Sequence, residues 1–248
     1  MWSSNRSRRI LRSSFRLPIP VIYHFGIMYG VRYKAVLSDF DHTLGDTTEG
    51  IVQCVNAGMD ALGLPHCDAD SVCHTVGMSL ERTYEELTGD CDAGNARVFS
   101  EHFLNEADRD MSHQAYFYEG VVDMLRSLKS EGIMVAVVST KYRDRIAEIF
   151  ESNGISDLVD LIVGADDVER EKPDPEGLIR AMEHFGTDPS ETVFIGDTDV
   201  DAEAAFRAGV DFVGVRTGPN PSHEFEKYPK IAVLKDATGL REIVLDRI

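Results

Sequence analysis

The sequence predicts an α/β protein, a doubly wound parallel sheet with a helical domain inserted after its first strand. Three observations carry this. Five short apolar, β-branched runs recur along the chain: KAVLS at 34–38, IMVAVVS at 133–139, LIVG at 161–164, TVFI at 192–195 and FVGV at 212–215. Helical periods closed by glycine lie between the later runs. The block 47–116, in contrast, offers helical segments and no convincing strand.

The chain has 248 residues, of which 43% are hydrophobic and 27% charged, enough for one or two domains with a buried core. Its net charge is −18, which argues against a general nucleic-acid coat or a polybasic membrane binder. That charge is unevenly placed. The first 34 residues hold Arg6, Arg8, Arg9, Arg12, Arg16, Arg32 and Lys34 and no acid.

Residues 1–30 form an Arg- and Ser-rich extension without a steady period, and are expected to lie outside the fold. The pattern has features of a transit peptide or a crude secretory signal. Translated sequence upstream of a start at Met28 is the preferred reading, because no clean small-residue cleavage site is present. The longest nearly apolar stretch, Leu17 to Val31, is interrupted by Pro18, Pro20 and His24 and falls short of the ~20 residues that span a bilayer. No transmembrane helix is expected, and the reading is a cytoplasmic protein.

The first strand, 34–38, opens a core expected to comprise residues 31–46 and 117–248. The inserted block, 47–116, reads as helices around 49–62, 68–75, 79–88 and 93–110. Downstream, Val121, Val122, Leu125 and Leu128 precede Gly132, Ile146, Ile149 and Phe150 precede Gly154, and Leu178, Ile179, Met182 and Phe185 precede Gly186. Each strand run is nearly continuously apolar, so each is expected to be buried on both faces, as in a parallel sheet. Cys54, Cys67, Cys73 and Cys91 have neither C-x-x-C spacing nor a histidine pair to complete a zinc set. They read as free thiols acting as small buried hydrophobes in a reducing compartment.

Chemistry-bearing residues gather where strands end. Strand one runs into Asp39-Phe40-Asp41-His42-Thr43, two carboxylates at the carboxyl edge, where open α/β sheets bind ligands. The second sheet strand ends in Ser139-Thr140-Lys141, offering hydroxyls and open N–H groups suited to phosphate oxygens. After the third comes Glu171-Lys172-Pro173-Asp174-Pro175, a lysine held between stiff residues. The fourth ends in Gly196-Asp197-Thr198-Asp199-Val200-Asp201, with Asp201 one helical turn beyond Asp197. Singly, these have ordinary readings as a solvated turn, a helix cap and a surface loop. Together they place an acidic pair, a hydroxyl, a lysine and a second acidic pair along one edge. Asp39, Asp41, Asp197 and Asp201 would repel one another, and one divalent cation with Lys172 would offset them. Oxygen-only ligands favour Mg²⁺ over zinc.

These four segments match in order the motifs of the haloacid dehalogenase superfamily. From about Tyr33 to Ile248 the chain resembles its phosphoglycolate phosphatase-like branch, which has a Rossmann-like core and a helical cap where 47–116 lie here. The resemblance implies that Asp39 is the nucleophile that forms an aspartyl-phosphate. It implies that Asp41 protonates the leaving oxygen and then deprotonates the attacking water. The implied Mg²⁺ ligands are Asp39 and Asp197 by side chain and Asp41 by backbone carbonyl. Ser139 and Thr140, with His42 and Thr43, would contact substrate; Lys172 would neutralise charge on nucleophile and phosphoryl group, and Asp201 would orient Lys172. His42 departs from the glycine common at its position, and could narrow the leaving-group pocket or add a donor to it. Val76-Gly77-Met78-Ser79-Leu80 resembles the branch's specificity loop; Arg82 could reach a substrate carboxylate or simply be solvated.

The function expected is therefore a Mg²⁺-dependent phosphatase for a small phosphorylated metabolite such as phosphoglycolate, acting as a monomer or homodimer. Inorganic pyrophosphatase and β-phosphoglucomutase-like phosphomutase use the same core. A 2-haloacid dehalogenase would leave Asp41 without a task, and a non-catalytic phosphometabolite sensor would not need the pairing of Asp39 with Asp41.

Overall fold

The computed structural model describes residues 33–110, 114–217 and 224–245, so the expectation for the extension at 1–30 lies outside the described residues. The elements run β1 (Ala35–Ser38), β2 (Gly45–Asp46), α1 (Thr48–Ala61), α2 (Ala69–Cys73), α3 (Leu80–Thr88), α4 (Ala93–Asp110), β3 (Tyr116–Phe117), α5 (Val121–Ser130), β4 (Met134–Val138), α6 (Arg143–Ser152), β5 (Leu161–Val163), α7 (Glu176–Phe185), β6 (Thr192–Gly196), α8 (Asp199–Ala208), β7 (Asp211–Val215), β8 (Ala232–Leu234) and α9 (Leu240–Leu245). The main sheet has the order β5-β4-β1-β6-β7-β8, and all its pairings are parallel.

The continuous apolar runs are explained by the two cores that sandwich this sheet. Along each strand alternate side chains leave opposite faces. Val36, Val135, Val137, Val193, Ile195, Val213 and Val215 enter one core, with Leu125 and Leu128 of α5, Ile146 and Ile149 of α6, and Leu240 and Val244 of α9. Leu37, Ala136, Val138, Phe194 and Phe212 enter the other, against Leu178 and Met182 of α7 and Ala202 and Ala205 of α8. Burying such a side chain on folding contributes roughly 1.5–3 kcal/mol, so neither face tolerates a polar residue in mid-strand. Gly186 and Gly209 close α7 and α8 in the left-handed conformation. Ile179 departs from the expected pattern, being 40% exposed on the outer side of α7.

The five strand runs occur where the sequence predicts them, with ends differing by one residue. Three further strands were not anticipated. β2 and β3 are two-residue strands paired antiparallel, too short to show a period. β8 is a half-buried edge strand of three residues.

Helices α1 to α4 lie between β2 and β3 and enclose a third core, built from Val55 and Met59 of α1, Tyr84 of α3, and Phe99 and Phe103 of α4. Gly58 permits the close crossing of α1 and α4, since a Cβ there would stand 2.5 Å from the Phe99 ring. The thiols are free, but only Cys54 and Cys73 are buried; Cys67 is half-buried, and Cys91 is exposed in the loop before α4. That loop is polar, with Asp90 and Asp92 satisfying its backbone N–H groups, so it offers Cys91 no apolar pocket. Among the described residues, no helix is long and apolar enough to cross a membrane.

Candidate active site

β1 lies between β4 and β6, the place where the strand order reverses direction. At such a switch point the loops diverge and leave a crevice at the carboxyl edge. Asp39 follows β1, Ser139 follows β4 and Asp197 follows β6, so topology alone brings three of the motifs together. Asp39 is anchored by its own N–H, which donates to Ile195 O of the neighbouring strand at 2.9 Å.

Lys172 arrives from the loop between β5 and α7 and binds both acidic groups. Its Nζ lies 2.7 Å from Asp39 Oδ1 and 2.6 Å from Asp201 Oδ1, and it sits 5.6 Å from the centre of the Phe194 ring. Asp201 also closes the start of α8. Its Oδ2 accepts from Thr198 N at 3.1 Å and Thr198 Oγ1 at 2.6 Å, while its own N–H donates back to Thr198 Oγ1. Gly196 is required by this arrangement, because a Cβ there would stand 2.5 Å from Asp201 Cγ.

Carboxylate oxygens of Asp39, Asp197 and Asp201 all lie within 4.8 Å of one another. Burial pushes the Asp39 carboxyl up to about 6, with Lys172 opposing the rise and Asp201 and Asp41 adding to it. Burial likewise raises Asp197 well above the usual carboxylate range, reinforced by Asp201 and Asp39. Burial alone would depress the Lys172 ammonium, but Asp201 and Asp39 together hold it above its ordinary value. Three carboxylates against one ammonium leave two negative charges in a dry site, the deficit that one divalent cation removes. Both oxygens of Asp201 are already engaged by Lys172 and Thr198. Asp39 and Asp197 each keep an oxygen that no described residue binds, since Asp197 accepts only at Oδ1, from Thr43 Oγ1 at 3.3 Å. The donor set therefore fits a hard, oxygen-liganded cation such as Mg²⁺.

Asp41 stands apart from this cluster. Its Oδ1 accepts from Thr47 Oγ1 and lies 3.3 Å from Lys141 Nζ. It lines a cleft of about 560 Å³, counting its open mouth, between the sheet edge and the helical layer. Thr140 and Lys141 share that cleft with Ile51, Val76, Met78, Leu80, Phe103 and Leu104. Ser139 is buried at the end of β4, where its Oγ accepts from Lys141 N at 3.3 Å. Gly77 takes a φ of 93° and brings its loop against Thr198 of the core, to which a Cβ would stand 3.4 Å away.

His42 departs from its expected contact, whereas Arg82 takes the solvated alternative. His42 is buried in the left-handed conformation, φ 57°, and its Nε2 lies 3.0 Å from Thr48 Oγ1, so its ring is turned to α1 and is absent from the cleft lining. Burial lowers its affinity for a proton. Arg82 sits in the first turn of α3, exposed and outside the cleft lining, its N–H capped by Ser79 Oγ at 3.4 Å. Thr47, Lys141 and Arg145 were missed by sequence reasoning; Lys141 carried a signal, being next to Ser139 and Thr140, whereas Thr47 and Arg145 carried none.

The Rossmann-like core thus carries at its switch point an acidic, lysine-bridged site roofed by the inserted helices. Residues 36–215 match the family of haloacid dehalogenase-like hydrolases, and the chain belongs to it. Among curated relatives, the N-acetylmuramic acid 6-phosphate phosphatase of Pseudomonas aeruginosa is 32% identical over 79% of this chain and 89% of its own length. The phosphoglycolate phosphatase of Pseudomonas putida is 27% identical over 85% and 79%, and the pyrophosphatase PpaX of Bacillus pumilus 29% over 85% and 96%. Among solved structures, a Bacteroides fragilis protein assigned to the haloacid dehalogenase-like hydrolases superposes with a TM-score of 0.81 at 36% identity, covering 84% of this chain and all of that one.

Proposed function

We propose that this hydrolase is a Mg²⁺-dependent phosphatase acting on a small organic phosphate monoester of the phosphoglycolate type, through an aspartyl-phosphate on Asp39. The observation that carries the reading is the division of labour between the two aspartates. Asp39 is locked to Lys172 inside the acidic cluster, while Asp41 is held by Thr47 and Lys141 at the wall of the cleft. In this reading the first attacks phosphorus and the second handles the proton of the group that leaves.

In the first step the Asp39 carboxylate forms a bond to phosphorus as the ester P–O bond breaks, and Asp41 gives its proton to the departing oxygen. In the second, water attacks phosphorus, Asp41 takes its proton, and phosphate departs from a regenerated Asp39. Ser139 and Thr140 supply hydroxyls to the phosphoryl oxygens, and Lys172 offsets the charge shared by nucleophile and phosphoryl group. Asp201 positions Lys172 while capping α8. Thr43 supports Asp197 through its hydroxyl, and His42 supports the start of α1 through Thr48. Asp39 and Asp197, with the backbone carbonyl of Asp41, would hold Mg²⁺, which would supply positive charge to the phosphoryl oxygens.

The inserted helices act as a cap that excludes water from the cleft. Its apolar lining of Ile51, Val76, Met78, Leu80, Phe103 and Leu104 suits a carbon-bearing leaving group. Pyrophosphate hydrolysis is the second reading, carried by the name of the PpaX relative, and the apolar wall weighs against it. Hydrolysis of 4-nitrophenyl phosphate with Mg²⁺ and with excess chelator tests the proposal. Turnover that stops on chelation and returns with Mg²⁺ is expected; binding of phosphate esters without any turnover would identify a sensor instead.

A further inference from the structure

Arg145 belongs to none of the four motifs, yet it lines the same cleft as Asp41, Thr140 and Lys141. It stands in the first turn of α6 and is only 9% exposed. Its described hydrogen bonds all run through Nη2, which donates to Leu104 O at 3.3 Å and to Asp108 Oδ1 at 2.6 Å. The guanidinium lies 4.9 Å from the centre of the Tyr142 ring, and its Nε is buried with no hydrogen-bond partner. A buried, unpaired arginine N–H is costly, and such groups in folded proteins call for a partner.

We propose that Arg145 is a specificity-determining residue that reads a carboxylate on the leaving group of the substrate. This deepens the phosphatase reading and rests on it. A carboxylate fits for three reasons. The planar guanidinium fork matches a planar carboxylate and retains unused donors. Asp108, whose side chain is 68% exposed and so well screened, offsets the guanidinium only in part, leaving a site for a single negative charge rather than the two of a second phosphate. The neighbouring cation of the cleft, Lys141, is paired with Asp41.

Arg145 also joins α6 to α4 through Leu104 and Asp108, so a purely structural latch is the competing role. A latch would affect every ligand alike; a carboxylate reader would discriminate. The test is calorimetric binding of non-hydrolysable phosphonates to the full chain with Mg²⁺, comparing phosphonoacetate, methylphosphonate and methylenediphosphonate on wild type, Arg145→Met and Arg145→Lys. Wild type is expected to prefer phosphonoacetate to methylphosphonate by about tenfold or more, the value of a charge-assisted hydrogen bond. Arg145→Met should abolish that preference, with affinity for methylphosphonate falling by no more than about threefold, and Arg145→Lys should keep part of it. An absent preference in wild type, its survival in Arg145→Met, or an equal loss for all three phosphonates would overturn the proposal. A loss for methylenediphosphonate matching that for phosphonoacetate would overturn the assignment to carboxylate. These measurements need no turnover, so a wild type inert toward 4-nitrophenyl phosphate would defeat the phosphatase reading and leave the binding comparison to decide on Arg145.

Discussion

Lys172 Nζ and Asp39 Oδ1 are 2.7 Å apart although 133 residues separate them in sequence, and both side chains are almost wholly buried. Among the described residues, the lysine is the one cation bonded within a cluster that includes Asp39 and Asp201, so its charge holds together both the chemistry and the local fold. Removing one member of a buried ion pair typically costs about 3–5 kcal/mol, because the remaining charge is left uncompensated. Lys172→Met should therefore lose activity by about 10³-fold or more and, in chelator, lower the denaturation midpoint markedly. Chemical denaturation with and without Mg²⁺ checks this. A variant as stable as wild type in chelator would show that the carboxylates are not charged together.

Gly196→Ala should damage the site from beneath. The added methyl would fall 2.5 Å from Asp201 Cγ, so the carboxylate that orients Lys172 must move. We expect kcat to fall by about 10- to 100-fold, since misplacement by about 1 Å costs of that order, with the circular dichroism spectrum unchanged. Unaltered kinetics would mean that Lys172 does not depend on Asp201.

Metal and protons should compete. Asp39, raised from 3.8 to about 6, is protonated in the folded, metal-free protein at pH values where the unfolded chain has already released the proton. The folded state then binds more protons than the unfolded between about pH 4 and 6, so metal-free stability should fall as pH rises across that window. Asp197, shifted in the same direction, adds to the effect. Mg²⁺ must displace these protons, so it should raise the melting temperature more at pH 7.5 than at pH 5. Thermal melts at the two pH values, with and without Mg²⁺, decide it; an equal or larger rise at pH 5 would contradict the assigned cluster.

Thiol reactivity should follow burial. Cys91 is exposed, whereas burial pushes the Cys54 thiol up to about 12. An aromatic disulfide reagent should label Cys91 first, and Cys54 and Cys73 only on unfolding. Fast labelling of Cys54 in the native state would mean that α1 and α4 separate readily.

The sheet was legible because the five strand runs are short and nearly continuously apolar and four of them lead into a chemical motif, as Leu37 and Phe194 illustrate by facing the core opposite to that of Val36 and Val193. Asp39, Asp197, Lys172 and Asp201 were legible as a group because the switch point converts order along the chain into proximity. β2 and β3 were not, because two residues carry no period. Arg145 was invisible for a different reason: nothing local distinguishes it from Arg143 two positions earlier, and only packing of α4 over α6 buries one and leaves the other half exposed. The direction of His42 was not legible, because a left-handed backbone, not its side-chain chemistry, turns its ring to Thr48.

In the proposed reaction Asp39 carries the phosphoryl group. Acid quenching during turnover of a small phosphate ester, followed by borohydride reduction, converts an aspartyl-phosphate to homoserine, which peptide mass spectrometry locates. Homoserine at position 39 in the wild type, and its absence together with turnover in Asp39→Asn, is the result predicted. Steady turnover with no modification at Asp39, or substantial turnover by Asp39→Asn, would contradict it.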